Sequence, residues 1–126
     1  VVWSNHGGRQ MDRVQPTLHM VRNEMPKLMD SKLEFLMDGG IRNGTDIFIA
    51  LSYGIRAVGI GRAMAAGIGA GGETGLKRVF EILKADLVRA MQLTGVGSIE
   101  QLHAAGASLR RDNQLHGDDY LPPFVY

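Results

Sequence analysis

Three short apolar runs at residues 1–3, 33–37 and 57–60 each give way to glycine and polar residues: SNHGGRQ (residues 4–10), DGGIR (residues 38–42) and Gly61-Arg62. Runs this short and largely apolar read as strands covered on both faces, as in a parallel sheet. Helical periodicity fills the intervals. After Pro16, the apolar residues Leu18, Val21, Met25, Leu28 and Met29 recur at helical spacing, with Pro26 expected to end or bend that helix near Met25. Thr45 is placed to cap a second helix carrying Ile47, Phe48 and Leu51, with Gly54 as its stop. After the third run, AMAAGIGAGG reads as a small helix. The strongest helix follows, with Leu76, Val79, Phe80, Leu83, Leu87 and Met91 in one stripe and Gly95 as its stop. Ser98 and Gln101 have the spacing of a capping box for a last helix.

The alternation of strand and helix predicts an α/β fold with a parallel sheet. In barrels and doubly wound sheets, functional residues gather at the carboxyl ends of the strands, which is where the glycine and polar residues fall in this chain. The chain does not begin with Met and starts inside an expected strand, which points to a processed, nicked or truncated piece of something larger.

Charge narrows the ligand classes. Fourteen Lys and Arg against 13 Asp and Glu give a net charge of +1, so bulk electrostatics favour neither nucleic acid nor an anionic membrane, and any anion site has to be local. The absence of cysteine excludes disulfides and thiolate metal sites. No apolar run approaches the roughly 20 residues of a membrane span. There is no signal-peptide pattern and no C-terminal peroxisomal tripeptide, so a cytoplasmic location is expected. His19, His103 and His116 share no metal-ligand spacing, and no metal site is predicted.

The two glycine–arginine loops, Asp38-Gly39-Gly40-Ile41-Arg42 and Gly61-Arg62, close consecutive strands and should lie side by side. Glycines let backbone N–H groups approach an anion, a helix starting after Arg62 would aim its positive end at that anion, and arginines fork onto phosphate oxygens. The alternative is that both are tight strand-to-helix turns with solvated arginines. His6 and Arg9, three residues apart on the first loop, could take a proton and hold a carboxylate bidentately, or could equally be a backbone-bonded loop His and a surface Arg.

In this order and spacing, SNHGGRQMD, MDGGIRNGTDIFIAL and VGIGRAM resemble the FMN-dependent 2-hydroxy acid oxidases and dehydrogenases, which include glycolate oxidase, lactate oxidase, mandelate dehydrogenase and flavocytochrome b2. The later stretches GETGLKRVFEILKADLVRAMQLTG and SIEQL extend the likeness over residues 1–105, leaving residues 106–126 as a tail. Phosphate-binding barrels such as inosine monophosphate dehydrogenase carry turns like DGGIR, so SNHGGRQ is the more specific segment.

The resemblance implies the C-terminal part of an eight-stranded β/α barrel, about strands 6 to 8 with their helices. It makes His6 the catalytic base, Arg9 the anchor of the substrate carboxylate, and Asp38, Gly39, Gly40, Ile41, Arg42, Gly61 and Arg62 the FMN-binding set. It further implies oxidation of a small L-2-hydroxy acid to the 2-oxo acid, a homotetramer, and a partner in the N-terminal remainder of the barrel. That remainder would carry the family's flavin-contacting Lys, the Asp that pairs with the base and the substrate-touching Tyr residues. Asn43 stands where many members have a second Arg. Two rival expectations are a non-catalytic fragment, since three β/α units cannot close a barrel, and a phosphate-binding barrel with other chemistry.

Overall fold

In a computed structural model, which describes residues 1–109, the apolar runs form strands that pair in parallel. β1 (Val2–Trp3), β2 (Leu36–Asp38) and β3 (Ala57–Gly59) lie in the order β1-β2-β3. The register sets Val2 opposite Leu36 and Trp3 opposite Met37, then Leu36 opposite Ala57 and Asp38 opposite Gly59. Because the strands run the same way, all three following loops leave from one edge of the sheet.

The second strand begins later than the expected 33–37. Leu33 is 59% exposed and precedes the ladder, which starts at Leu36 because Val2 and Trp3 are the partners that β1 offers. The connections are helices α1 (Thr17–Leu28) and α2 (Gly44–Ser52). Pro26 lies inside α1, which continues to Leu28 where an end or bend near Met25 was expected. In the last turn, the N–H that proline lacks costs a single intrahelical bond.

Two apolar clusters use opposite faces of α2. Ala50 and Tyr53 join Val21 and Met25 of α1, Met37 of β2, and Phe35, Ile41 and Ile55. Phe48 and Leu51 join Val96 and Leu102, with Leu87 and Met91 of α3 (Arg62–Leu93) and Ile99 and Leu109 of α4 (Ile99–Leu109) packed around them. A helix apolar on both faces is buried on both.

Helix α3 breaks at Gly71 and Gly72, whose backbone angles are non-helical, and the backbones of Gly67 and Gly75 meet across the break. The small helix and the strong helix of the sequence pattern are these two halves. Within the stripe of the second half, Leu83 is buried, whereas Phe80 is 53% exposed. Met29, expected on the inner face of the first helix, is 65% exposed just beyond the end of α1. Helix α4 opens with half of the expected capping box: the Gln101 amide donates to Ser98 Oγ at 3.1 Å, but Gln101 Oε1 accepts from the amide of Gly97, one residue before the cap, at 2.8 Å. It runs to Leu109. Among the described residues, no helix is long and apolar enough to cross a membrane.

The start of α2 differs from expectation. Its cap is Asn43, whose extended backbone lets Oδ1 accept from the Asp46 amide at 2.9 Å, while Thr45 already lies within the helix. The next residue, Gly44, sits against α3, where an added Cβ would run into the backbone of Asp86 and Leu87. Substitution Gly44→Ala is therefore expected to lower stability by about 1–3 kcal/mol, the usual cost of overpacking. Denaturant unfolding of parent and variant measures it, and an unchanged midpoint would contradict this packing.

Candidate functional site

After Trp3 the chain enters a turn in which His6, Gly7 and Gly8 all have positive φ, 52°, 67° and 74°. Glycine adopts this region freely, but histidine does so at a cost of roughly 1–2 kcal/mol. Local hydrogen bonds hold the turn. The His6 amide donates to Ser4 Oγ at 3.0 Å, the Gly7 amide to Asn5 Oδ1 at 3.0 Å, the Gly8 amide to the Asn5 carbonyl at 2.9 Å, and the Arg9 amide to the His6 carbonyl at 3.4 Å. The side chains of His6 and Arg9 stay on the exposed surface of this turn.

The loop after β2 lies directly against it. Gly39 and Gly40 have φ of 89° and 84°. A Cβ on Gly39 would stand 2.5 Å from Asn5 Oδ1 and 2.8 Å from Thr17 Oγ1, so only glycine lets the two loops come this close. Ser4 Oγ donates to Asp38 Oδ1 at 2.6 Å, making a second link. Further along, Asp46 Oδ2 accepts from the Arg42 amide at 2.9 Å and lies 3.7 Å from Arg42 Nε. With the Arg42 side chain 82% exposed, that ion pair contributes little and leaves the guanidinium available to an anion.

The third loop completes the arrangement. Arg62, at the start of α3, brings Nη2 to 3.9 Å from where a Cβ on Gly7 would be. A cleft of about 270 Å³ runs between the loops, lined by Gly39, Gly40, Ile41, Arg42 and Arg62, by Asn5 and Gly7, and by Pro16, Thr17 and Leu18 at the start of α1. Five of the residues expected to bind an anion thus share one cleft. Asp38 and Gly61 stand beside it and are not among its lining residues, and neither are His6 and Arg9, which occupy the adjoining turn.

Ser4, Asn5 and Thr17 are not among the residues expected at the site from the sequence. Ser and Asn two residues ahead of an amide commonly hydrogen-bond to it, and here Ser4 and Asn5 do so at His6 and Gly7; that was the available signal. Thr17 gave none, because its burial depends on the loop after β2 folding over it. Its Oγ1 is buried and, among the described residues, has no hydrogen-bond partner.

The chain is similar in sequence and in fold to known proteins. The chain is 42% identical over 102 residues to 2-Hydroxyacid oxidase 2 of Rattus norvegicus, covering 81% of this chain and 29% of that protein. It is 40% identical over 102 residues to Peroxisomal (S)-2-hydroxyacid oxidase GLO3 of Arabidopsis thaliana, covering 81% of this chain and 28% of the relative. The fold matches a crystal structure of mandelate oxidase with 3,3-difluoro-2-hydroxy-3-phenylpropionic acid with a TM-score of 0.76 at 35% identity, over 82% of this chain and 31% of that one. The chain therefore spans less than a third of the length of these relatives. Residues 1–109 match the profile of the FMN-dependent dehydrogenases, and the chain belongs to that family.

Proposed function

We propose that this chain supplies the FMN phosphate loops and the base-carrying turn of an enzyme that oxidises a small L-2-hydroxy acid to the 2-oxo acid. The observation that carries the reading is that SNHGGRQ and the two glycine–arginine loops leave one edge of a parallel sheet and meet around one cleft.

The residues present fit the phosphate end of FMN. Gly40 has positive φ and nothing within 4 Å of an added Cβ, so its backbone is open to a ligand, and Arg42 and Arg62 offer two forks for phosphate oxygens. Gly39 and Ile41 add to the backbone lining of that site, with Asp38 at the end of β2 and Gly61 beside it. The flavin, when bound, supplies the acceptor for the two electrons that the hydroxy acid loses.

Arg9 holds the substrate carboxylate in two parallel hydrogen bonds, and His6 accepts the proton that the substrate releases. His6 is exposed on the turn, where a substrate can reach it.

The chain corresponds in this reading to about strands 6 to 8 of an eight-stranded β/α barrel, with the N-terminal remainder of the barrel as its partner, a homotetramer as its assembly and the cytoplasm as its location. Support for a barrel partner comes from the sheet itself. Among the described residues β1 and β3 are the uncovered edges of the sheet, with Val2 of β1 62% exposed, and exposed edges of this kind require covering. The same openness favours a second reading, in which the isolated chain is non-catalytic until that remainder is joined to it.

A general base contributes about 10²- to 10⁴-fold. With the barrel complete, His6→Gln is expected to slow anaerobic reduction of bound flavin by small 2-hydroxy acids by about that factor, with FMN still bound because the phosphate loops are untouched. Stopped-flow absorbance follows the reduction. Reduction as fast as in the parent removes His6 from the role of base.

A further inference from the structure

Asp38 is placed by the family resemblance among the FMN-binding residues, yet its side chain does something else. It is not among the residues lining the cleft between the loops. Its carboxylate Oδ1 instead accepts a hydrogen bond from Ser4 Oγ at 2.6 Å, within the range of a short bond to an ionised oxygen. The Ser4 oxygen in turn accepts from the His6 amide at 3.0 Å.

A serine hydroxyl has one proton and two lone pairs. With that proton given to Asp38, Ser4 can meet the His6 amide only as an acceptor, which is the role the amide requires. A hydroxyl polarised by a carboxylate is also a better acceptor than a free one. The amide at the end of this chain belongs to the non-glycine residue held at φ 52° in the turn. Such a conformation persists only where its surroundings determine it.

We propose that Asp38 and Ser4 are a positioning pair for His6: the Asp38 carboxylate orients the Ser4 hydroxyl, and the Ser4 oxygen holds the His6 backbone in its left-handed conformation. The pair also ties the turn after β1 to the loop after β2, beside the contact between Asn5 and Gly39. Its consequence for catalysis rests on the reading of His6 as the base; the conformational statement does not.

Amide hydrogen exchange on the ¹⁵N-labelled full chain, without flavin or substrate, tests the pair and stays separate from any failure of the flavin chemistry. The His6 amide is compared with two reference amides, Arg56, which donates to the Phe35 carbonyl, and Leu102, which donates to the Ser98 carbonyl. Ser4→Ala and Asp38→Ala should each raise exchange at His6 about tenfold, with the reference amides unchanged. Because both act on one chain of bonds, the double variant should exceed either single variant by no more than about twofold. Ser4→Thr, which keeps the hydroxyl, should return His6 to within about twofold of the parent. Unchanged exchange at His6 in either single variant, or single effects that multiply in the double variant, would overturn the proposal. So would an equal rise at Arg56 and Leu102, because the pair would then support the whole fold and not the turn.

Discussion

The site depends on parallel pairing along β2. Leu36, Met37 and Asp38 each have a partner on β3, and Leu36 and Met37 also have partners on β1, so this short strand sets the relative heights of all three loops. Met37 anchors it at 1% exposure between α1 and α2. A shift of one residue would reverse which side chains face the core and would separate Asp38 from Ser4 and Gly39 from Asn5. Loop chemistry and core packing are therefore one constraint seen from the two ends of a three-residue strand.

Glycine converts that register into contact. At Gly39 the loop after β2 comes close enough for Asn5 and Thr17 to rest against its backbone, and Asn5 also accepts from the Gly7 amide. The Asn5 side chain thus belongs to both loops at once. Arg62 approaches Gly7 from the third loop. Gly44 plays the corresponding part on the outside of the sheet, where the start of α2 meets α3.

Much of this was legible in the sequence. Period and length identified three strands and the helices between them, and glycine with arginine after each of the last two strands marked the loops that line the cleft. The errors have physical causes. Strand limits depend on what lies opposite, so a run at residues 33–37 became β2 at Leu36–Asp38 once β1 set the pairing. Thr45 and Asn43 are both chemically able to cap a helix, and the choice between them depends on backbone angles that composition does not reveal. Phe80 fits the apolar stripe by spacing but is exposed, since periodicity identifies a face without saying how far a neighbour extends along it. Ser4 and Asn5 were visible as polar loop residues, but their joint hold on His6, Asp38 and Gly39 arises only when two strands distant in sequence are set side by side.

If loops from separate strands build one phosphate-binding edge, as proposed above, the chain itself binds FMN through them. FMN titrated into the ¹⁵N-labelled chain, with riboflavin as the control lacking phosphate, should shift the amides of Gly39, Gly40 and Arg62 together along one saturating curve, and riboflavin should leave them in place. Replacing both Arg42 and Arg62 with Ala should weaken FMN binding by about tenfold or more, the loss expected from a charge-assisted contact to phosphate. Equal shifts with FMN and riboflavin, or an FMN affinity unchanged by removal of both arginines, would contradict the account.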